Sequence, residues 1–355
     1  MVLGADGAGI WQGAAGPAYG LDSTQASYVY FKTGNGVFDA NNAIPPNTDY
    51  GDSLIKMTAA GSGALKVNGY FTPADQYYRA NKGSQCSDGD VDFGSGGVML
   101  IPEGEMKDPY LAISGDKEGG IWFNDRTKPG LYGGSSVCPP TGSDSNVQTY
   151  QFNGGALSPN GPVIHTSPAF WDPSSRDYLY IGSQCAPGAT CDPNNIGAGK
   201  LLQFSLSSGT RLPIQSPGVY AHDSANNAIT FEFGATPTIS AATPTATAGV
   251  LWAIWADGSV EPSPTGGMNG TPAVNGQLYA FDAISMVKLY GSNDCTVGGT
   301  MVDQINPATK FSVPTVADQH VYVGTQGPLC SGTGCNYANG GFYIFGQVAT
   351  RSCGT

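Results

Sequence analysis

The stretch YLYIG, residues 178–182, decides the fold because the same kind of aromatic, apolar segment occurs four more times in the chain. The other copies are YVYF at 28, YLAIS at 110, LWAIW at 251 and VYVGT at 321, so that successive copies start 82, 68, 73 and 70 residues apart. Short runs of Tyr, Val and Ile predict β-strands. Their recurrence in one chain predicts a repeat architecture.

Each copy lies between two other recurring elements. A small-residue element precedes it, and an apolar element that ends in a turn follows it. The small-residue elements read AAGPA, GSGGV, TSPAF, ATPTI and SVPTV, and the apolar elements read SLIKM, GGIWF, KLLQF, QLYAF and GFYIF. Three strands in one order, five times over, predict antiparallel sheets that must stack to bury their faces.

The sequence therefore predicts an all-β fold, a β-propeller of about five blades, each a four-stranded antiparallel sheet. We expect a single domain, 1–355, with blade units at 9–75, 90–135, 160–215, 232–292 and 310–350. A β-sandwich is the alternative fold, but it explains the strand content without explaining the fivefold order.

Composition supports strands and limits the classes of partner. The chain has 52 Gly and 25 Pro, and its 12% of charged residues is about half of the usual fraction, so long amphipathic helices are not expected. The 27 acidic and 15 basic residues give a net charge of −12, which argues against nucleic acid and anionic membranes as partners. No apolar run reaches the roughly 18–20 residues of a membrane span.

The eight cysteines predict disulfides. The three histidines, His165, His222 and His320, are too far apart in sequence to complete a zinc site. An even number of cysteines without metal partners favours disulfides in an oxidising compartment. The predicted pairs are Cys185 with Cys191, Cys330 with Cys335, Cys86 with Cys138, and Cys295 with Cys353. We therefore expect a secreted or periplasmic protein, although the first residues do not form a signal peptide.

The segment CSDGDVDFGSGGVML, residues 86–100, places three carboxylates at alternate positions, Asp88, Asp90 and Asp92. An EF-hand would need Gly where Phe93 stands and Glu where Met99 stands, so a helix-flanked calcium loop is excluded. A functional carboxylate and an acidic turn between strands remain as the two interpretations.

Residues 28 to 130 resemble the middle of the quinoprotein alcohol dehydrogenases, which depend on pyrroloquinoline quinone (PQQ). The resemblance is carried by YVYFKTGNG, YGDSLIKM, YFTPADQ, DVDFGSGGVMLIP and YLAISGDKEGGIWFNDRTKPG, and the later units resemble that superfamily's blades more loosely. It implies calcium and PQQ as cofactors and an alcohol or sugar as substrate.

The resemblance also implies roles for single residues. Asn35 of TGNG and Asp92 of DVDFGSGG would be calcium ligands, with Asp90 as the rival of Asp92. Asp92 would also be the catalytic base, and Lys117 of GDKEGG would contact the cofactor and stabilise charge on the reduced ring. Trp11 of GAGIWQG would form the floor beneath the quinone. Without a cofactor, Asn35 and Lys117 are ordinary turn residues and Trp11 is a core residue.

The chain departs from the family pattern in three ways. The tryptophan that the family has just before the catalytic aspartate is absent, and an insertion containing Cys86 lies in that region. The family has about eight blades, and its portion that supplies a further calcium-ligating Glu has no counterpart before Trp11. These departures predict an incomplete propeller, with self-association through open blade edges.

Two functions are therefore consistent with the sequence. One is a quinoprotein-type oxidoreductase that oxidises an alcohol or sugar with calcium and a quinone. The other is a non-catalytic extracellular propeller that acts as a binding or assembly module for a protein or glycan partner.

Overall fold

The chain is described by a computed structural model over a set of separate ranges. These are residues 8–41, 49–59, 63–82, 85–87, 90–102, 110–152, 162–173, 176–185, 199–206, 214–243, 246–256, 276–309, 311–325 and 340–346. Within them the only helical segments are α1 (Gln76–Ala80) and a 3-10 turn (Phe93–Ser95). The predicted fold class is confirmed: the chain is all-β, with antiparallel sheets of the propeller type.

The chain divides into two compact units. The first comprises Met1–Pro168 with Leu206–Gln215, and the second comprises Ala169–Ser205 with Ser216–Thr355.

The first unit contains two four-stranded sheets, in each of which the strands follow one another in chain order. The first sheet consists of β1 (Ala18–Leu21), β2 (Ser27–Lys32), β3 (Leu54–Ala59) and β4 (Leu65–Phe71). The second sheet consists of β5 (Val98–Leu100), β6 (Leu111–Gly115), β7 (Gly120–Asp125) and β8 (Gln148–Gln151). All neighbouring strands pair antiparallel.

The sheets of the second unit follow the same plan. The third sheet consists of β9 (Ala169–Trp171), β10 (Asp177–Gly182), β11 (Leu201–Leu206) and β12 (Ile214–Tyr220). The fourth consists of β13 (Thr238–Ala241), β14 (Gly249–Trp255), β15 (Gln277–Asp282) and β16 (Lys288–Gly291). A hairpin, β17 (Thr296–Val297) and β18 (Thr300–Met301), precedes a fifth sheet. In the described residues that sheet has three strands, β19 (Thr315–Ala317), β20 (His320–Gly324) and β21 (Phe342–Gly346).

The recurring sequence elements correspond to the first three strands of each blade. The YLYIG-type copies form β2, β6, β10, β14 and β20, and the apolar copies that follow them form β3, β7, β11, β15 and β21. Four first strands begin one residue after a proline, at Pro17, Pro168, Pro237 and Pro314. Proline has no N–H to donate to a ladder, so a strand begins most readily just after it.

An aromatic core holds the first unit together. Phe71, Phe93 and Trp122 are almost completely buried, with ring centroids 5.3 to 6.0 Å apart. Tilted and edge-to-face contacts of this kind add to the stabilisation from burial alone. Because Phe93 directly follows Asp92, this core fixes the position of that carboxylate.

One disulfide connects two segments of the first unit. Cys86 and Cys138 are bonded with their Cα atoms 5.2 Å apart, as the sequence analysis predicted. Cys185 and Cys295 each take part in a disulfide bond as well. The partners predicted for them, Cys191 and Cys353, and the predicted pair Cys330–Cys335 lie outside the described residues.

Among the described residues, no helix is both long enough and apolar enough to span a membrane.

Candidate functional site

Five of the predicted site residues lie together in the first unit. Trp11 precedes β1, Asn35 follows β2, and Asp90 and Asp92 precede the 3-10 turn, while Lys117 lies in the turn between β6 and β7. We call these five residues the Asp92 cluster. The third carboxylate of the acidic segment, Asp88, lies outside the described residues.

Both carboxylate oxygens of Asp92 are engaged. The backbone N–H of Asn35 donates to Oδ1 at 2.8 Å, and the ammonium of Lys117 lies 2.5 Å from Oδ2. The indole of Trp11 donates a further hydrogen bond to this side chain. Burial raises the pKa of Asp92, but the bonds from Lys117, Asn35 and Trp11 outweigh burial and hold the pKa below its usual value. Asp92 is therefore an ionised hydrogen-bond acceptor at neutral pH.

Lys117 bridges the two described carboxylates of the acidic segment. Its Nζ is 2.6 Å from Oδ1 of Asp90 as well as 2.5 Å from Oδ2 of Asp92. The Asp90 side chain is 72% exposed, whereas those of Lys117 and Asp92 are 18% and 12% exposed. Burial lowers the pKa of Lys117, but the two carboxylates outweigh burial and raise it. Of these three described side chains, Asp90 is the most open to solvent.

Trp11 lies beside this ion pair rather than inside the core. It is 36% exposed, its ring centre is 5.5 Å from Lys117 Nζ, and it meets the ring of His165 at a centroid distance of 5.5 Å. An indole next to a cation and a carboxylate can present a flat face to a ligand. Trp11 is therefore a partly exposed residue and not a core residue.

The close approach of the loops requires glycine at position 34. A Cβ atom there would overlap Oδ1 of Asp92 and would lie 3.1 Å from Nε1 of Trp11. Glycine allows the chain to pass this close to the carboxylate, and it thereby aims the N–H of Asn35 at Asp92. The TGN segment contributes to the cluster through its backbone.

The Asp92 cluster does not fit a calcium ion in this arrangement. Calcium takes six to eight oxygen ligands at about 2.3–2.6 Å. Here a lysine ammonium already lies at that distance from both Asp90 and Asp92, and Oδ1 of Asp92 accepts hydrogen bonds. In the part of the chain that the structure describes, no group of three or more His, Cys, Asp or Glu side chains is arranged to hold a metal.

A second set of charges lies in the interior of the same unit and was not predicted. We call Lys32, Asp52, Arg79 and Asp116 the buried charge cluster, because all four side chains are fully buried. Burial lowers the pKa of Lys32 to about 7 and raises the pKa of Asp52 to about 8. Oδ1 of Asp52 accepts the N–H of Phe93 at 3.0 Å, while Oδ2 has no hydrogen-bond partner among the described residues.

Arg79 forms ion pairs with three carboxylates. Its guanidinium donates to Asp75 at 2.6 Å, to Asp116 at 2.9 Å and to Glu118. Asp116 also accepts the indole N–H of Trp122 at 2.7 Å. A cavity of about 310 Å³ lies against this group and is lined by Asp75, Arg79, Glu118 and Trp122 among others. Burial raises the pKa of Glu118 well above its usual value.

Sequence signals for the buried charges exist but are weak. Lys32 ends the apolar run SYVYFK, and Arg79 lies in the aromatic segment QYYRA. A single lysine or arginine beside an apolar run is usually at the surface. Only the three-dimensional arrangement of the loops shows that both side chains are enclosed.

Comparison with known proteins gives no sequence relative. No family model matches the chain, and no curated protein matches it. Among solved structures, the Dos1 propeller is 10% identical with a TM-score of 0.38, over 86% of this chain and 55% of that one. BamB from Moraxella catarrhalis is 13% identical with a TM-score of 0.33, over 87% of this chain and 81% of that one. The chain thus spans about half the length of the Dos1 propeller structure.

Proposed function

We propose that this chain is a non-catalytic propeller-type module that binds or assembles with a partner outside the cytoplasm. The observation that carries the proposal is the state of Asp92. A general base needs a free carboxylate with a pKa close to the working pH. Asp92 instead has both oxygens engaged and a pKa held below its usual value.

Exposed apolar surface supports an assembly role. In the fifth sheet, Phe342 and Ile344 alternate along β21 and are 69% and 58% exposed. Large exposed apolar side chains on one face of a strand are typical of surfaces that meet another protein. The disulfide between Cys86 and Cys138 supports a secreted or periplasmic location, because such bonds persist in oxidising compartments.

A second candidate, the quinoprotein-type oxidoreductase, rests on a different observation. Trp11, Asn35, Asp92 and Lys117 were singled out by resemblance to that family, and the structure brings them together from four separate segments. In such an enzyme, calcium and PQQ would supply the Lewis acid and the electron acceptor. Because the Asp92 cluster does not fit calcium as it stands, this candidate is the less well supported.

One experiment separates the two candidates. The purified chain is supplied with calcium and PQQ, and dye-linked oxidation of alcohols and sugars is measured beside a known quinoprotein dehydrogenase. We expect no oxidation above the no-protein control, since Asp92 is not available as a base. Turnover that disappears in Asp92→Asn but persists in Asp90→Asn would establish the oxidoreductase instead.

Light scattering after size exclusion tests the assembly role. We expect a concentration-dependent dimer or larger species that Phe342→Ser together with Ile344→Ser shifts towards the monomer. The matched control is Leu65→Ser, because Leu65 is 71% exposed on β4 of the other unit. A monomer at all concentrations, with no binding of apolar dyes, would contradict this role.

A further inference from the structure

We propose that the ammonium of Lys117 is a built-in cation that takes the place of the divalent ion assigned to Asp92 and Asn35 by the family resemblance. In the wild-type site Lys117 then pairs with both carboxylates without a metal, and a metal site becomes available only when Lys117 is removed. The inference concerns the charges of the site rather than its partner, and so goes beyond the proposed function.

The geometry of the lysine supports this inference. Nζ lies 2.5 Å from Asp92 and 2.6 Å from Asp90, at the distances that calcium keeps from its oxygen ligands. A divalent ion that bound both carboxylates in this arrangement would therefore have to occupy the volume of the ammonium. Binding would require the Lys117 side chain, which is only 18% exposed, to leave two ion pairs.

Charge and access indicate what the same site would do without the lysine. Removal of the cation leaves two carboxylates next to each other, of which Asp92 is 12% exposed. A buried or half-buried anion that has lost its partner gains strongly from a new cation. Asp90, which is 72% exposed, leaves an entrance through which an ion and its water ligands can reach Asp92.

Trp11 provides a local probe of an ion at this position. Its ring centre is 5.5 Å from Lys117 Nζ, and its indole donates to Asp92. An excited indole transfers energy efficiently to terbium(III) at such a short distance, and terbium binds to the same hard oxygen ligands as calcium. Terbium emission on excitation of tryptophan therefore reports ion binding without any enzymatic assay, and its loss on Asp92→Asn assigns the signal to Trp11 rather than to one of the other four tryptophans.

The experiment compares the full chain with Lys117→Met, which keeps the length of the side chain and removes its charge. We expect saturable terbium emission from Lys117→Met with a dissociation constant of about 0.1–1 mM, the range of loose extracellular calcium sites. The wild type should bind at least tenfold more weakly. Calcium should compete for the site, and the double variant Lys117→Met with Asp92→Asn should lose the signal.

Two controls exclude trivial explanations. Lys128→Met removes an exposed lysine elsewhere in the same unit and should leave terbium emission at the wild-type level. Should Lys117→Met fail to fold by circular dichroism, Lys117→Gln takes its place. The wild type is also tested directly, since calorimetry should show no calcium binding below about 1 mM.

Equal terbium binding by wild type and Lys117→Met would overturn the proposal, as would calcium binding to the wild type at micromolar concentrations. These outcomes are independent of the oxidation assay, so a failure here differs from a failure of the proposed function.

Discussion

The Asp92 cluster and the buried charge cluster contain the same pair of residue types with pKa values shifted in opposite directions. In the Asp92 cluster, direct contacts outweigh burial, so the pKa of Asp92 falls and that of Lys117 rises. In the buried charge cluster, burial outweighs the contacts, so the pKa of Asp52 rises to about 8 and that of Lys32 falls to about 7. The first pair is ionic at neutral pH, whereas in the second Asp52 is mostly protonated and Lys32 about half protonated.

The opposite pKa shifts depend on whether each charged side chain forms a close ion pair, and not only on how deeply it is buried. Nζ of Lys117 lies 2.5 Å from Oδ2 of Asp92. The ammonium of Lys32 instead donates to the carbonyl of Gly115 at 2.7 Å, and it interacts with Asp52 electrostatically without a hydrogen bond. A charge leaves water at a cost of several kcal/mol, and only a close partner offsets that cost. Asp52 and Asp92 lie in the same unit, yet the pKa of Asp52 is raised and that of Asp92 is lowered.

The largest effect that would test this comparison is expected at Arg79. Arg79→Met removes a fully buried cation that forms ion pairs with Asp75, Asp116 and Glu118. We expect a loss of about 3–5 kcal/mol in the free energy of unfolding, because the fully buried Asp116 loses the cation with which it forms an ion pair. Denaturant titration measures the loss. Arg176→Met, at an exposed position, is the matched control, and a loss below about 1 kcal/mol would show that the carboxylates do not depend on Arg79.

The second effect concerns pH and Asp52. The folded pKa of about 8 lies above the unfolded value of 3.8, so the folded state binds more protons between these values, and stability falls as the pH rises through this range. The slope can reach about 1.4 kcal/mol per pH unit. Lys32, with a folded pKa of about 7 below the unfolded 10.5, contributes an increase in stability only above pH 7. Between pH 5 and 7 Lys32 contributes little, whereas Glu118, whose pKa burial also raises, contributes in the same direction as Asp52, so the part of the slope due to Asp52 is the difference between wild type and Asp52→Asn.

Asp52→Asn should remove this part of the slope. Urea unfolding at pH 5, 6 and 7 should show wild-type stability falling relative to the variant at each step. The matched control is Asp22→Asn: hydrogen bonds from Lys56 and Thr24 outweigh burial and lower the pKa of Asp22, so its contribution changes only below about pH 4. Parallel curves for wild type and Asp52→Asn would mean that Asp52 is ionised in the folded protein.

Much of the fold was predictable because blade strands repeat. The aromatic second strand and the apolar third strand each pack against both neighbours, so similar residues recur in β2, β6, β10, β14 and β20. The fourth strand was not predictable as a recurring element. Strands such as β4, in which every residue except Phe71 is exposed or half-buried, need specific packing at few positions, and their sequences differ freely.

The Asp92 cluster was predictable only through resemblance, whereas the sequence signals for the buried charge cluster were too weak to predict it. Composition and spacing do not show that residues 11, 35, 92 and 117 meet, since contacts such as that of Asn35 with Asp92, 57 residues apart, depend on the stacking of sheets. The burial of Lys32 depends on Phe93, whose ring lies 3.8 Å from Nζ. Such a contact leaves no pattern in either segment of sequence.

A third and smaller effect should distinguish packing from charge at the Asp92 cluster. Gly34→Ala places a methyl group against Oδ1 of Asp92 and should cost about 1–3 kcal/mol of stability, because the loops must separate. It should also alter Trp11 fluorescence, since the indole and the methyl would lie 3.1 Å apart. Gly16→Ala is the matched control, with no atom within 4 Å of the new methyl. An unchanged stability and emission spectrum would mean that the contact is readily relaxed.

The smallest effect is expected at Asp90, the exposed member of the Asp92 cluster. Asp90→Asn removes an ion pair with Lys117 whose carboxylate is 72% exposed, so solvent already screens most of its attraction. We expect a change in the free energy of unfolding below about 0.5 kcal/mol at low salt and none at 0.5 M NaCl, because the Debye length falls below about 5 Å. Asp92→Asn, measured in parallel, should cost more at both salt concentrations, since its carboxylate is only 12% exposed. If Asp90→Asn were as costly as Asp92→Asn and insensitive to salt, Asp90 would be the main partner of Lys117. The aspartate to compare with Asp52 would then be Asp90 rather than Asp92.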